Sequence, residues 1–181
     1  DVTAKFSLSV SFSPEDQLKS PVKTTLAEAG KILALDVNAV TEVHLEELAG
    51  RPDIGVTVAS LLSGYIELKA PGKGADPKKF IGADKHQWQK FQNLPNLIYT
   101  DGNEWALYRN GERVGKLVRL SGNVMSDGVK AISPDNAKSL LELLREFLRW
   151  EPIVPSTPRA LAKMLAPVCR LLRSDVLTAL A

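Results

Sequence analysis

The sequence has little cysteine, little histidine and no long hydrophobic run. Cys169 is the only cysteine among 181 residues, which excludes an intrachain disulfide and a cysteine metal cluster. The two histidines, His44 and His86, stand far apart without other ligand types beside them, so we interpret both as structural. No apolar run approaches the ~20 residues that a membrane-spanning helix needs. Disulfide-stabilised, zinc-cluster and membrane-spanning proteins are therefore poor matches.

Three functional signatures are also missing. The sequence opens without a basic segment followed by an apolar stretch, so we expect a cytoplasmic protein rather than a secreted one. It contains no GxxxxGK[ST] phosphate-binding loop, which argues against an ATPase centre. It also contains no Asn-Pro-Pro-Tyr or Asp-Pro-Pro-Tyr segment, so it has no evident adenine-methyltransferase centre. The net charge of +2 is too small to indicate nucleic-acid binding by itself.

The composition and the periodicity indicate one folded α/β domain. Hydrophobic residues make up 44% of the chain and charged residues 24%, close to ordinary globular proteins. The apolar spacing predicts a helix, three strands, a second helix, and then further strands and helices. The predicted segments are a helix over 21–35, a strand over 40–45, a hairpin over 53–69, a helix over 76–93, a strand over 96–100, a turn over 101–103, a hairpin around 110–111 and a helix over 133–150.

A cluster of prolines near residue 150 predicts a domain edge. Pro152, Pro155 and Pro158 follow one another closely, which is typical of a linker. A last predicted helix is still in pattern at Leu177 and Leu180, where the sequence ends. We therefore expect a main domain over 1–150, and a linker over 151–181 that starts a helical segment leading to a downstream region.

Two carboxylates are predicted to meet on the first hairpin. A turn around residue 60 places Asp53 directly opposite Glu67 on the neighbouring strand. Opposed side chains in an antiparallel pair lie roughly 5 Å apart at Cβ, close enough to share a divalent cation. Strand alternation puts Lys69 on the same face as these carboxylates and the apolar side chains on the opposite face. The predicted core-facing side chains are Ile54, Val56, Val58, Ile66 and Leu68.

This arrangement favours metal-assisted hydrolysis of a phosphodiester. Opposed like charges repel unless a cation and a neighbouring amine compensate them. Mg²⁺ prefers a few carboxylates, a backbone carbonyl and water, so Asp53, Glu67 and the Leu68 carbonyl are the predicted ligands, with Mn²⁺ as a substitute. Lys69 would orient the attacking water and stabilise the charge that develops on the phosphate.

A solvated charged face is the competing interpretation, because an aspartate followed by Glu-x-Lys often occurs by accident. Here several elements occur together and in order. Arg51-Pro52-Asp53 precedes the first strand, one hairpin leads to Glu67-Leu68-Lys69, and the stretch APGKG follows at once. This conjunction favours a catalytic centre.

These elements resemble a known family. The stretch RPDIGVTVASLLSGYIELKAPGKGADPKKF, continued by HQWQKFQNLPNLIYTDGNEWALYRNGE, is similar to the PD-(D/E)XK nuclease domain at the N-terminus of bacterial restriction-modification proteins fused to an N6-adenine DNA methyltransferase. The resemblance covers about 45–115 and assigns Asp53, Glu67 and Lys69 to the catalytic centre. It implies a restriction-endonuclease-like fold, in which helices flank a mixed β-sheet core, with a C-terminal helical extension.

The same resemblance implies Mg²⁺-dependent cleavage of double-stranded DNA in a type II or type I-like restriction system that defends against phage. Methyltransferase and target-recognition parts would lie downstream. Related nucleases often add a glutamate from the first helix, for which Glu28 is our candidate and Glu46 the competing choice. They also place a glutamine on the helix after the catalytic strand, which Gln87 matches, although an exposed helix residue is an equal alternative.

Positive charge is concentrated just beyond the predicted catalytic strand, as a surface that follows phosphates needs. A solvated face explains each lysine equally well. The predicted DNA-binding residues are Lys73, Lys78, Lys79 and Lys85, with Lys90 nearby. Trp88 and Tyr108 suit a base-stacking platform, as do Tyr99 and Trp105, but their spacing favours core packing.

Two classes of function remain open from the sequence. The first is a metal-dependent endonuclease. The second is a non-cleaving DNA-binding or interaction module of the same fold. The intact Asp53, Glu67 and Lys69 favour the endonuclease, because a degenerate domain usually loses one of the three.

Overall fold

The computed structural model describes residues 14–41 and 51–151. The chain divides into two units, 1–150 and 151–181, and the described residues belong to the first unit except for Glu151. The linker and last helix expected over 151–181 thus fall outside the described residues and stay predictions. The same holds for His44 and Glu46.

Two groups of three strands lie between the helices along the described chain. The helices are α1 (Asp16–Leu33), α2 (Gly82–Phe91), α3 (Val124–Asp127) and α4 (Pro134–Leu148), with 3-10 turns at Pro77–Lys79 and Gly128–Ala131. The strands are β1 (Val37–Thr41), β2 (Ile54–Val58), β3 (Leu61–Leu68), β4 (Leu97–Thr100), β5 (Glu104–Arg109) and β6 (Glu112–Arg119).

The described strands form one mixed six-stranded sheet in the order β1-β2-β3-β4-β5-β6. Only β3 and β4 run parallel, and every other neighbouring pair is antiparallel. A parallel pair needs a long crossover, and the segment that contains α2 supplies it. The predicted fold class, a restriction-endonuclease-like mixed sheet flanked by helices, is therefore confirmed.

The first hairpin has the predicted pairing at the end that carries Asp53 and Glu67. Ile54 pairs with Ile66, so Asp53, which immediately precedes β2, continues the ladder opposite Glu67. A register shift occurs nearer the turn, beyond Val56. Both turn residues, 59 and 60, have positive φ angles of 47° and 67°. Two such angles match the twist of the flanking strands and allow a two-residue connection.

Both faces of the sheet are covered. The face carrying Ile54 and Ile66 packs against α1 and α4, which bury apolar stripes on it, and Trp105 belongs to this cluster. The prediction that apolar side chains occupy one face and charged side chains the other is wrong, because the other face is largely apolar too. Tyr99 and Tyr108 lie in a second buried cluster there, beneath α2 and the turn before it. The charged groups therefore sit at the margin of an aromatic core, which also confirms that the aromatic side chains mainly pack.

Two predicted helix boundaries need correction. The first helix begins at Asp16 rather than Pro21, because Leu18, four residues before Val22, extends the buried stripe toward the N-terminus. Pro21 lies inside α1, where it lacks the N–H that would donate to the Gln17 carbonyl and so removes one helical hydrogen bond. The first strand likewise begins earlier, at Val37, and residues 42–45 of its predicted span are not among those described.

The helix predicted over 76–93 is in fact two elements. Asp76 caps the first by accepting a hydrogen bond from the Lys78 N–H, and Pro77 follows it, but this element is only a 3-10 turn. Phe80 then takes an extended backbone and buries its ring against Tyr99 at a centroid distance of 5.3 Å. Gly82 has a φ angle of +54°, which starts α2 in a new direction.

The later turns follow the sequence signals. Asn110 and Gly111 adopt positive φ angles of 49° and 85° between β5 and β6, as a type I′ turn requires. The Ser133 side chain accepts a hydrogen bond from the Asn136 N–H and caps α4. In the described residues no helix is long and apolar enough to span a membrane.

Candidate active site

Asp53 and Glu67 approach each other where β2 begins and β3 ends. One carboxylate oxygen of Asp53 accepts a hydrogen bond from the Leu68 backbone N–H at 2.8 Å. Asp53 is close enough to Glu67 that its negative charge raises the pKa of Glu67. The sheet thus brings together the two carboxylates that the strand pattern predicted.

Glu67 is a buried acid with one free oxygen. Its exposed fraction is 2%, and its Oε1 accepts a hydrogen bond from Lys69 Nζ at 3.2 Å. Its Oε2 has no hydrogen-bond partner among the described residues. Burial first, and then the charge of Asp53, raise the pKa of Glu67 to about 8, and the Lys69 amine only partly offsets them. Such a carboxyl gains from a cation that neutralises it.

The Lys69 amine is enclosed and fully hydrogen-bonded. The residue is 1% exposed, and its Nζ contacts Glu67 Oε1 at 3.2 Å, Asp84 Oδ1 at 3.3 Å and Gln87 Oε1. An ammonium group has three donors, so these three acceptors occupy all of them. The Phe80 and Tyr99 rings lie 5.9 and 5.6 Å from the amine, within range of a cation–π attraction. The solvated-face interpretation fails for Glu67 and Lys69, since neither is solvated.

Asp84 belongs to the cluster, although our sequence analysis did not identify it. Its Oδ1 faces Lys69, and its Oδ2 accepts a hydrogen bond from Lys73 Nζ at 2.6 Å. Partial burial favours the protonated form, but the hydrogen bond from Lys73 and the charge of Lys69 outweigh it and lower the pKa of Asp84. The available signal was spacing: Asp84 and Gln87 are three residues apart on a helix and therefore share a face.

The first helix contributes Glu15 rather than Glu28. Glu28 is on the exposed side of α1, where its carboxylate pairs with Lys31 at 2.7 Å. At 1.5 Å per residue it lies about 20 Å along the helix axis from Glu15. Glu15, at the start of α1, accepts a hydrogen bond from the Ala70 N–H at 3.1 Å, directly after Lys69. The Glu28 prediction chose a glutamate at the wrong end of the helix.

An open pocket of about 470 Å³ reaches this cluster from outside. The residues around it include Glu15, Lys69, Asp84 and Gln87, with Arg51, His86 and Lys90. The pocket thus brings basic side chains to the Lys69 side of the cluster, whereas Asp53 and Glu67 are not among the residues that line it.

The predicted DNA-binding lysines do not all flank this pocket. Lys73 does, because its amine pairs with Asp84 while half of its side chain remains exposed. Lys78 and Lys85 instead line a different cleft, on the opposite side of α2. Lys79 is exposed on the 3-10 turn. The rotation of α2 separates these charges, which a count along the sequence cannot show.

A buried aspartate anchors the loop that carries Lys73. Oδ2 of Asp101 accepts hydrogen bonds from the Gly72 and Gly74 N–H groups at 3.1 and 2.8 Å. Its Oδ1 accepts two more from the backbone of Asn103 and Glu104. Residues 101–103 form the predicted turn, and their aspartate also holds the loop after β3 in place.

The donor set fits a hard divalent cation held by few protein ligands. In the described part of the chain, no three histidine, cysteine, aspartate or glutamate side chains are grouped to hold a metal on their own. Asp53 and Glu67 are nonetheless adjacent, and the unpartnered, buried Glu67 Oε2 is an oxygen that a cation could bind. Mg²⁺ commonly uses only one or two carboxylates and completes its shell with water and other oxygens. The Leu68 carbonyl remains a predicted further ligand.

Comparisons with known proteins bear on the fold. No protein-family model and no curated protein matches the chain. A solved structure described as a cryoEM structure of a DrdV–DNA complex matches with a TM-score of 0.53 and 24% sequence identity. The match covers 77% of this chain and 12% of that one, so the chain spans only a small part of its neighbour's length. What the two share is the fold.

Proposed function

We propose that this domain is a Mg²⁺-dependent endonuclease that hydrolyses phosphodiester bonds in double-stranded DNA. The observation that carries the proposal is the buried cluster of Asp53, Glu67 and Lys69, in which a carboxylate oxygen has no partner. An acid that is buried, adjacent to a second acid and only partly neutralised is unfavourable in a purely structural role. Perturbed groups of this kind concentrate at functional sites.

Asp53 and Glu67 would hold the cation, with the Leu68 carbonyl as a third ligand. When bound, Mg²⁺ or Mn²⁺ supplies a Lewis acid that stabilises the charge developing on the phosphate and lowers the pKa of water. The Leu68 N–H fixes the Asp53 carboxylate, so the first of these ligands is already oriented. Glu67 lies on β3 and Asp53 directly precedes β2, so the sheet holds both acids in position, as catalysis needs.

Lys69 would act on the attacking water and the phosphate. Its amine is held among Glu67, Asp84 and Gln87, so it must exchange one of these acceptors to reach a substrate oxygen. Asp84 is the acceptor best able to release it, because Lys73 continues to balance its charge. A donor placed in advance, in a site of low water content, stabilises a developing negative charge efficiently.

DNA is the proposed substrate for two reasons. Basic side chains line the pocket together with Lys69, as a phosphate-binding surface requires. The structural neighbour was itself solved with DNA, and the sequence resemblance independently points to restriction-modification proteins. We further propose that the domain serves in a cytoplasmic restriction or phage-defence protein, whose methyltransferase and target-recognition parts lie elsewhere in a larger chain or complex.

The test is plasmid cleavage by the purified protein in Mg²⁺, Mn²⁺ or EDTA. Asp53→Ala and Lys69→Ala should lose about 10²-fold or more of the cleavage rate while remaining folded by circular dichroism. Glu28→Gln is the matched control, because it neutralises a carboxylate paired with a lysine outside the cluster. Cutting that persists in EDTA or in Lys69→Ala would contradict the proposal.

Metal binding separates the nuclease from a non-cleaving module of the same fold. Titration with Mn²⁺, followed by calorimetry or paramagnetic resonance, should show one site that Asp53→Ala weakens and Glu28→Gln preserves. A wild-type protein that neither binds Mn²⁺ nor cuts DNA would instead support the module interpretation.

A further inference from the structure

A second cleft lies on the far side of α2 and has its own chemistry. Its volume is about 690 Å³, larger than that of the pocket over the acids. The 3-10 turn, α2 and the β5–β6 hairpin form its walls. We call it the Trp88 cleft, after the half-buried indole that lines it. Nothing in the proposed cleavage chemistry uses it.

Three cations from three separate elements meet around this cleft. Lys78 comes from the 3-10 turn, Lys85 from α2 and Arg113 from β6, and all three side chains are exposed. Within the described ranges, none of these three side chains forms an ion pair, whereas Lys69 and Lys73 both do. Two acids also line the cleft, Asp76, whose carboxylate accepts the Lys78 backbone N–H, and the exposed Glu112, so the three cations exceed the acids by one. The positive groups are therefore available to an anion.

The cleft also has an aromatic wall and amide side chains. Trp88 makes edge contacts with Tyr99 and Tyr108 at centroid distances of 5.6 and 5.0 Å, which fixes its ring. Gln89 and Gln92 stand beside it on α2. An indole stacks on any base, an amide can read a base edge, and cations hold a phosphate. These three chemistries together correspond to a nucleotide.

We propose that the Trp88 cleft binds a nucleoside 5′-phosphate, with the phosphate between Lys78, Lys85 and Arg113 and the base against Trp88. We assign this nucleotide to the DNA strand that enters the active site, an assignment that rests on the proposed nuclease function. A base that lies against Trp88 is not paired in a duplex, so this nucleotide belongs to an unpaired or flipped-out part of the strand.

The test is an NMR titration in EDTA, where metal-dependent cleavage cannot occur. The ligands are 5′-dAMP, inorganic phosphate and a short single-stranded oligonucleotide, at low ionic strength. The reporter is the Trp88 indole N–H signal, assigned by its loss in Trp88→Phe. The Trp105 indole is an internal reference, because it is buried on the other face and donates to the Gly102 carbonyl at 3.1 Å. An unchanged Trp105 signal also shows that each variant is folded.

We expect 5′-dAMP to shift the Trp88 signal and inorganic phosphate to bind more weakly. Lys85→Gln and Arg113→Gln should each weaken binding about fivefold or more. Lys138→Gln is the matched control, since it removes one exposed lysine from α4, across the sheet. A shift with the oligonucleotide supports assignment to the strand, whereas a shift with 5′-dAMP alone overturns that assignment.

Two results would overturn the proposal that the Trp88 cleft binds a nucleotide. One is the absence of any Trp88 shift with all three ligands. The other is equal affinity for 5′-dAMP and inorganic phosphate, which indicates a plain anion patch. Because binding is measured without metal, a protein that fails to cut DNA can still pass this test, and a protein that cuts can still fail it.

Discussion

The amine of Lys69 lies 3.3 Å from one carboxylate oxygen of Asp84. The other oxygen of Asp84 lies 2.6 Å from the Lys73 amine, so one side chain on α2 bridges a buried lysine and an exposed one. Because Asp84 takes one of the three N–H donors of Lys69, none remains for the second oxygen of Glu67. Asp84 therefore acts on the proposed metal ligand through Lys69, as a positioning residue.

Replacement of Asp84 tests this positioning role. Asp84→Asn keeps a polar side chain but removes the charge between the two lysines, so Lys69 should be drawn more closely to Glu67. We expect the maximal cleavage rate to fall about tenfold with little change in the affinity for DNA. Mass spectrometry after amine acetylation should also show faster labelling of Lys73. Glu28→Gln should leave both measurements unchanged, and a variant with full activity over the whole pH range would contradict the role.

The buried Glu67 makes stability depend on pH in an unusual direction. Its carboxyl binds a proton more tightly when folded, because its pKa rises from 4.5 in the unfolded chain to about 8. The unfolded state then binds fewer protons, so the free energy of unfolding should decrease as the pH rises from 4.5 to about 8. Glu67→Gln, which is neutral throughout, should raise the melting temperature at pH 8 in EDTA and change it little near pH 4.5.

The size of this effect is on the order of 1–4 kcal/mol at pH 8, since each unit of pKa corresponds to about 1.4 kcal/mol. The measurement is the difference between wild type and variant across pH, which cancels most other titrating groups. Mn²⁺ should stabilise the wild type more at pH 8 than at pH 6, where it must displace the proton. If the stability difference between wild type and Glu67→Gln does not change with pH, the pKa of Glu67 is not raised.

Asp101 should stabilise the loop that carries Lys73. Asp101→Asn keeps one oxygen but loses the second, so the Gly72 and Gly74 N–H groups lose their acceptor. We expect a loss of about 1–3 kcal/mol in the free energy of unfolding, measured in urea. Amide hydrogen exchange at Gly72 and Gly74 should accelerate, whereas the Leu68 amide, bonded to Asp53, should not. Unchanged exchange at both glycines would show that the loop is held by other contacts.

Gly64 should tolerate no side chain. A Cβ at this position of β3 would lie 2.5 Å from the Asn96 backbone oxygen and 2.7 Å from the Phe147 ring. Backbone cannot yield as a flexible side chain does, so Gly64→Ala should destabilise the protein by about 1–3 kcal/mol through overpacking. The midpoint of thermal unfolding measures this loss. If Gly64→Ala were as stable as wild type, β3 would have to move away from the Asn96 backbone at no cost in free energy, which would contradict this prediction.

Much of the fold followed from local patterns. The turn at Asn110-Gly111, the cap at Ser133 and the alternation along β2 and β3 each depend on neighbours within a few residues. The break between the 3-10 turn and α2 did not follow, because it depends on where the Phe80 ring finds its partner. The start of α1 was missed for a different reason: proline is common at the first position of a helix, so Pro21 resembled a helix start.

The sequence by itself determined the meeting of Asp53, Glu67 and Lys69. Strand alternation has a period of two and a hairpin joins adjacent segments, so local rules were enough to put them together. Only the tertiary structure decided that Glu15 and Asp84 join them, that Glu28 does not, and that Lys85 faces another cleft. Those placements depend on how α1 and α2 are packed and rotated on the sheet, which is set by long-range burial rather than by spacing along the chain.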